Sequence, residues 1–269
     1  MHRFVNVLRA GLLGTTALVA VSGAATAADL SFKDEPAAEE ARKWGVSFTA
    51  AAVTDYIFRG ISQTDEDPTL QASVDVTYGI AYFGIWGSGI DFGPSGTNGT
   101  PADVEIDVYA GIKPTYKNIT FDIGGIYYYY PGADDVLAET DYFEFKLGAS
   151  GNVMETLAAG VTIYYSPEFT GEVGGAVAIE GTLTKTLPSM GRFGLAISST
   201  VGYQHFEEED KFDLNSYVYG NIGITATAGK LSLDVRYWDT DLDSDELPAG
   251  ASVFQADERV VGTLKVTLP

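Results

Sequence analysis

The stretch Leu70-Gln71-Ala72-Ser73-Val74-Asp75-Val76-Thr77-Tyr78 alternates without a fault. Leu70, Ala72, Val74, Val76 and Tyr78 share one face, and Gln71, Ser73, Asp75 and Thr77 share the other. Period-two alternation marks a strand whose faces meet different surroundings. Upstream, Val46–Ala52 is a run of small and apolar residues suited to a strand, and Thr64-Asp65-Glu66-Asp67-Pro68 is a polar loop closed by proline. Strand, acidic loop, strand and tight turn then recur to the end of the chain.

From Gly45 the pattern predicts twelve strands, near 45–58, 69–78, 81–90, 103–112, 118–129, 141–149, 156–165, 175–186, 192–204, 214–226, 230–238 and 258–268. Several repeat the clean alternation. Val104, Ile106, Val108, Ala110 and Ile112 oppose Asp103, Glu105, Asp107 and Tyr109; Leu231, Leu233, Val235 and Tyr237 oppose Ser232, Asp234, Arg236 and Trp238. The connections alternate between short and long. The short ones are Gly79-Ile80, Lys113–Lys117, Ser150–Glu155, Leu187–Gly191 and Thr227–Gly229; the long ones begin at Arg59, Asp91, Tyr130, Ser166, Glu207 and Asp239. Up-and-down transmembrane barrels have this rhythm, with short periplasmic turns and longer outer loops. Charge follows the same division. Acids such as Asp65, Glu66, Asp134, Asp135 and Glu207–Asp210 collect in the long connections, whereas Lys113, Lys117, Arg192 and Lys230 lie at the short ones. Tyr56, Tyr127, Tyr129, Phe143, Tyr165, Tyr203 and Tyr237 fall where strands meet long loops, as an interfacial girdle would. The expected fold is therefore all-β, a transmembrane up-and-down antiparallel β-barrel of about twelve strands over residues 45–269.

Residues 53–63, Val-Thr-Asp-Tyr-Ile-Phe-Arg-Gly-Ile-Ser-Gln, carry a more specific signal. Asp55-Tyr56-x-Phe58-Arg59-Gly60, followed by Ser62-Gln63, resembles the opening motif of the TorF family of proteobacterial porins, and Asp107–Tyr116 is similar to a later stretch of that family. The resemblance implies an outer-membrane β-barrel that forms a pore.

The chain begins as an exported one. His2, Arg3 and Arg9 precede the apolar stretch Ala10–Val21, and Ala25-Thr26-Ala27 supplies a small-x-small cleavage site. Residues 1–27 read as a signal peptide, and 28–44 as a polar periplasmic leader. The mature part has 269 − 27 = 242 residues and a formal charge of 14 − 37 = −23. That charge excludes nucleic acid as a partner, because phosphates need basic surfaces. The chain has no cysteine, so a hydrogen-bonded framework and not disulfides must hold it. Outer-membrane barrels commonly finish on an aromatic residue read by the insertion machinery, whereas this chain ends Leu268-Pro269.

The polar strand faces would line the lumen. They place there Asp55, Asp75, Glu105, Asp107, Asp122, Glu144, Glu180 and Asp234, with Lys146, Arg236 and Lys265 against them. The lumen is then either wet and net negative, which favours cations, or filled by a paired network. Asp239, Asp241, Asp243 and Asp245 have the alternate spacing of a calcium loop. Ser244 stands where that loop needs glycine and Gly250 where it needs glutamate, so the stretch reads as a solvated acidic loop that attracts divalent ions loosely. The lone mature histidine, His205, has Tyr203 and Glu207 two residues to either side and no serine at the spacing of barrel phospholipases. No catalytic set, cofactor motif or phosphate-binding loop is present, and the chain reads as a non-enzyme. The function expected is a porin-like outer-membrane channel for small solutes or ions. Its partners would be membrane lipid, lipopolysaccharide and the barrel-insertion machinery. The alternative is a structural or adhesive barrel with acidic loops and no open pore.

Overall fold

The computed structural model describes residues 44–92, 101–133, 139–209, 215–242 and 256–269. The strands are β1 (Trp44–Val53), β2 (Ile57–Phe58), β3 (Ile61–Ser62), β4 (Thr69–Tyr78), β5 (Ala81–Gly89), β6 (Val104–Ile112), β7 (Thr115–Tyr116), β8 (Ile119–Tyr129), β9 (Tyr142–Met154), β10 (Leu157–Ser166), β11 (Ala176–Met190), β12 (Phe193–Phe206), β13 (Tyr217–Ala228), β14 (Leu231–Thr240) and β15 (Arg259–Leu268). Apart from β2, β3 and the two-residue β7, twelve long strands each pair antiparallel with their chain neighbours. β1 pairs β15 from Phe48↔Leu268 to Val53↔Thr263 and closes the sheet. Over that paired span closure removes the open sheet edge and bonds the backbone within the protein. A single 3₁₀ turn, Thr170–Glu172, lies between β10 and β11.

The barrel is inside out relative to a soluble protein. Leu70, Val74, Ile85, Val161, Val201, Ile222, Leu233 and Val260 are exposed on its outer wall, while Asp107, Glu144, Gln204, Thr225 and Arg236 are buried. An apolar belt that circles the molecule far exceeds the patches water-soluble monomers tolerate. Strands of nine residues or more are long enough, when tilted, to cross a bilayer. Tyr127, Tyr129, Tyr165, Tyr203 and Tyr237 point outwards near the long loops, and Phe143 is half-buried there. At the tight-turn end a second set appears: Trp44 lies 4.9 Å from Tyr78, and Tyr116 is exposed.

The structure corrects the sequence reading in four places. The strand expected over 45–58 ends at Val53, and residues 54–64 turn into the barrel. Tyr56, expected in the outer girdle, is buried inside as a result. The connection expected at Ser150–Glu155 belongs largely to β9, which runs on to Met154, and β11 likewise runs on to Met190. Trp44, placed at the end of the leader, is the first residue of β1. The signal peptide and residues 28–43 lie outside the described residues, as do Asp134, Asp135, Asp210, Asp243 and Asp245 of the acidic connections.

Candidate functional site

The inward-folded segment is a small hairpin. Ile57 pairs Ser62 and Phe58 pairs Ile61, with Arg59 and Gly60 at the tip. Both tip residues have positive φ, 48° and 89°, as a two-residue type I′ turn requires. A Cβ on Gly60 would lie 2.3 Å from Thr240 Cγ2 and 3.0 Å from Tyr219 Cβ, so only glycine lets the tip seat against β13 and β14. The neck is clamped by Asp55. Its Oδ1 accepts from Ser62 Oγ at 2.7 Å and Thr64 Oγ1 at 2.9 Å, and its Oδ2 accepts from Arg259 Nη1 at 3.0 Å. The Gln63 amide closes on the Tyr56 carbonyl at 2.7 Å.

From this neck the side chains reach across the lumen. Tyr56 donates to Glu105 Oε1 on β6 at 2.7 Å. Phe58 meets Tyr128 edge-on at 6.0 Å. Arg59 donates to Glu144 Oε2 on β9 at 2.8 Å and to Gln204 Oε1 on β12 at 2.9 Å, with its guanidinium 5.0 Å from the centre of the Tyr164 ring. Planar Arg geometry suits this bridging of two walls. Around it pack Tyr128, Tyr142, Phe169, Phe206, Tyr217 and Tyr219, an aromatic core inside the barrel at its loop end. Tyr130, just beyond β8, has its phenol pushed well above the ordinary value by burial and then by Glu105, so it remains a donor. The turn end differs: Ser47, Thr49, Thr182, Thr184 and Lys265 are only half-buried, and Thr77 is exposed at that mouth.

Further polar rows line the wall. Tyr219 on β13 crosses Gly202 on β12 to donate to Glu180 Oε1 on β11 at 2.8 Å; all three occupy one register row. Tyr109 crosses Gly84 in the same way to reach Asp75. Arg236 crosses Gly223 to Ser198 Oγ at 2.9 Å while pairing Asp234 at 3.0 Å. Lys146 pairs Asp122 at 2.7 Å, and Tyr82 donates to the same carboxylate at 2.7 Å. The lumen residues expected from the strand pattern thus meet inside, Asp55 from the hairpin neck instead of a strand. Lys265 faces inwards on β15, nearer the turn end. Two cations were missed, Arg59 and Arg259. Arg59 follows a phenylalanine and precedes a glycine, so local sequence reads it as loop; its burial comes from partners far away in the chain.

The other candidates are peripheral. Asp239 and Asp241 are exposed at the rim, Asp241 capping the Val218 amide at 2.7 Å, and Asp243 and Asp245 lie outside the described residues. Among the described residues no group of three or more His, Cys, Asp and Glu side chains is arranged around a metal position. His205 Nδ1 lies 2.9 Å from Ser216 Oγ and 3.5 Å from Glu209, a contact the sequence did not suggest. The Ser216 hydroxyl contacts Glu209 directly and accepts from the Phe206 amide at 3.1 Å. The imidazole therefore does not stand between acid and hydroxyl as a relay requires.

An inside-out, twelve-stranded up-and-down barrel with a polar, hairpin-filled lumen has the architecture of outer-membrane porins. The chain belongs to Gcw_chp, a family described as bacterial proteins of unknown function, whose model matches residues 37–268. No curated protein matches it. Among solved structures it is similar in fold to the KdgM porin, with a TM-score of 0.54 at 7% identity over 83% of this chain and 98% of that one. It is also similar to the NanC porin, with a TM-score of 0.50 at 9% identity over 84% of this chain and 100% of that one.

Proposed function

We propose that the protein is an outer-membrane, porin-like channel for passive passage of small solutes or ions, with the Ile57–Ser62 hairpin as its constriction. The observation that carries this reading is the hairpin itself. It stands in the lumen, bonded to the barrel wall through Tyr56 and Arg59 side chains, while the turn-end half of the lumen is lined by half-buried polar residues. The TorF-like motif is the hairpin, so the resemblance and the geometry converge on one element. The exported start of the chain, lipopolysaccharide at the loop end and the insertion machinery as partner belong to the same proposal.

Selectivity follows from the lumen charges. With Arg59 and Arg259 added, five cations face the eight acids, a formal balance of 5 − 8 = −3. Asp55, Asp122, Glu144 and Asp234 are ion-paired, which leaves Asp75, Glu105, Asp107 and Glu180 to set the field. KdgM has been seen with oligogalacturonate, a carboxylate-bearing sugar chain. A net-negative lumen disfavours such a solute and favours small cations. Planar-bilayer recording in a salt gradient tests both points. The full chain is expected to conduct with a modest cation preference, and Glu105→Gln with Asp107→Asn to move the reversal potential towards zero, more so at low salt. Anion selectivity would overturn the charge argument. Silent bilayers would favour the structural-barrel reading, which rests on the full burial of Arg59, Glu144 and Gln204.

A further inference from the structure

Asp107 is 0% exposed, and neither of its carboxylate oxygens has a hydrogen-bond partner. Each of the other seven acids on the lumen side accepts at least one hydrogen bond from a protein group. Two neighbouring hydroxyl donors are committed elsewhere. Tyr128, its register partner on β8, donates to Glu144 at 3.0 Å, and Tyr56 donates to Glu105. On its other side stands Trp86 of β5, whose indole N–H bonds to neither carboxylate oxygen. An ionised carboxylate buried with no donor is among the costliest arrangements in a protein. The local charge makes it costlier: Glu105 and Glu144 are the charges that act on Asp107, and the Arg59 guanidinium is paired with Glu144.

We propose that Asp107, together with Glu105, seats an exchangeable small inorganic cation inside the lumen. The two residues lie two apart on one strand face, with a backbone spacing of about 7 Å, close enough for their carboxylates to share a hard, oxygen-seeking ion such as Na⁺ or Ca²⁺. With two acids and, among the described residues, no cage of three ligands, the seat is weak. Weak seating is what a conduction path needs, since an ion must leave as readily as it enters. The proposal rests on the channel reading for the ion's route, but not for the seat.

The test is thermal unfolding of the detergent-folded full chain in NaCl, KCl or CaCl₂, with choline chloride at matched ionic strength as the bulky control. The midpoint is expected to rise with the logarithm of the small-cation concentration, by roughly 3–5 °C per tenfold increase above its dissociation constant, and not with choline. Asp107→Asn should abolish that response. Glu105→Gln, which keeps Asp107, should weaken it several-fold and serves if the first variant does not fold. An equal rise in choline would reduce the effect to screening and overturn the seat. A wild-type midpoint indifferent to every cation, with Asp107→Asn more stable in all of them, would overturn it too, leaving a buried acid that carries its own proton. Because unfolding reads binding and not current, a silent bilayer would remove the channel reading alone.

Discussion

Replacing Arg59 by alanine is expected to lower the stability of the folded barrel by about 3–5 kcal/mol, the usual cost of breaking a buried ion pair from one side. Both side chains of the Arg59–Glu144 pair are almost wholly buried, at 3% and 2% exposure. Without the guanidinium, Glu144 keeps only the Tyr128 hydroxyl, and Gln204 loses its donor. Most of the loss is therefore the stranded carboxylate and not the pair's own attraction. Arg59→Gln combined with Glu144→Gln should recover much of it, because both charges leave together. Urea titration of the detergent-folded barrel measures the difference. A single-variant cost near zero would mean that the hairpin does not occupy the lumen.

Gly202→Val is expected to be as damaging by another route. The Tyr219 ring lies over Gly202, so a Cβ there would stand 2.2 Å from Tyr219 Cζ. Tyr219 is 1% exposed and packs in the buried aromatic core. Overpacking of this kind costs about 1–3 kcal/mol. Displacing the ring also strands Glu180, whose bond to the hydroxyl is worth about 1–3 kcal/mol more when its loss leaves a buried acceptor unsatisfied. Gly181→Ala on the neighbouring strand is the control: a Cβ there would come no nearer to a neighbour than 3.9 Å, to Val201 O, and the change should be close to neutral. The two variants can be compared by the heat needed to convert the compact folded form to the unfolded one on a denaturing gel. Equal tolerance of both would contradict the row Tyr219–Gly202–Glu180.

The barrel was legible in the sequence because lipid and lumen impose opposite demands on alternate residues. Tyr127 to Tyr130 show this within four positions: Tyr127 and Tyr129 point out, Tyr128 and Tyr130 point in. The same alternation placed Asp75, Glu105, Asp107, Asp122, Glu144 and Asp234 inside. The hairpin was not legible. Residues 53–58, Val-Thr-Asp-Tyr-Ile-Phe, are mostly β-branched and aromatic types that suit a strand, so the strand reads on past Val53, and nothing local says that the chain leaves the sheet at Thr54. Arg259 was missed because it begins a strand beside acidic loop residues, where a charge reads as solvated. The glycine-crossing rows were hidden for a further reason. They depend on the register between neighbouring strands, as in Glu180↔Gly202↔Tyr219, and register is fixed by loop lengths and closure, not by either strand alone.

The bore of the channel is where sequence motif, buried charge and proposed function meet. The Tyr56 carbonyl and the Gln63 amide already lie 2.7 Å apart, so a two-glycine link in place of residues 57–62 can close the same turn, with Asp55 losing Ser62 but keeping Thr64 and Arg259. Single-channel conductance of that shortened barrel, set beside the full chain in the same bilayer and salt, is the measurement to make. A conductance several-fold larger than that of the full chain is the predicted result. An unchanged conductance, or a barrel that stays silent with the hairpin gone, would contradict it.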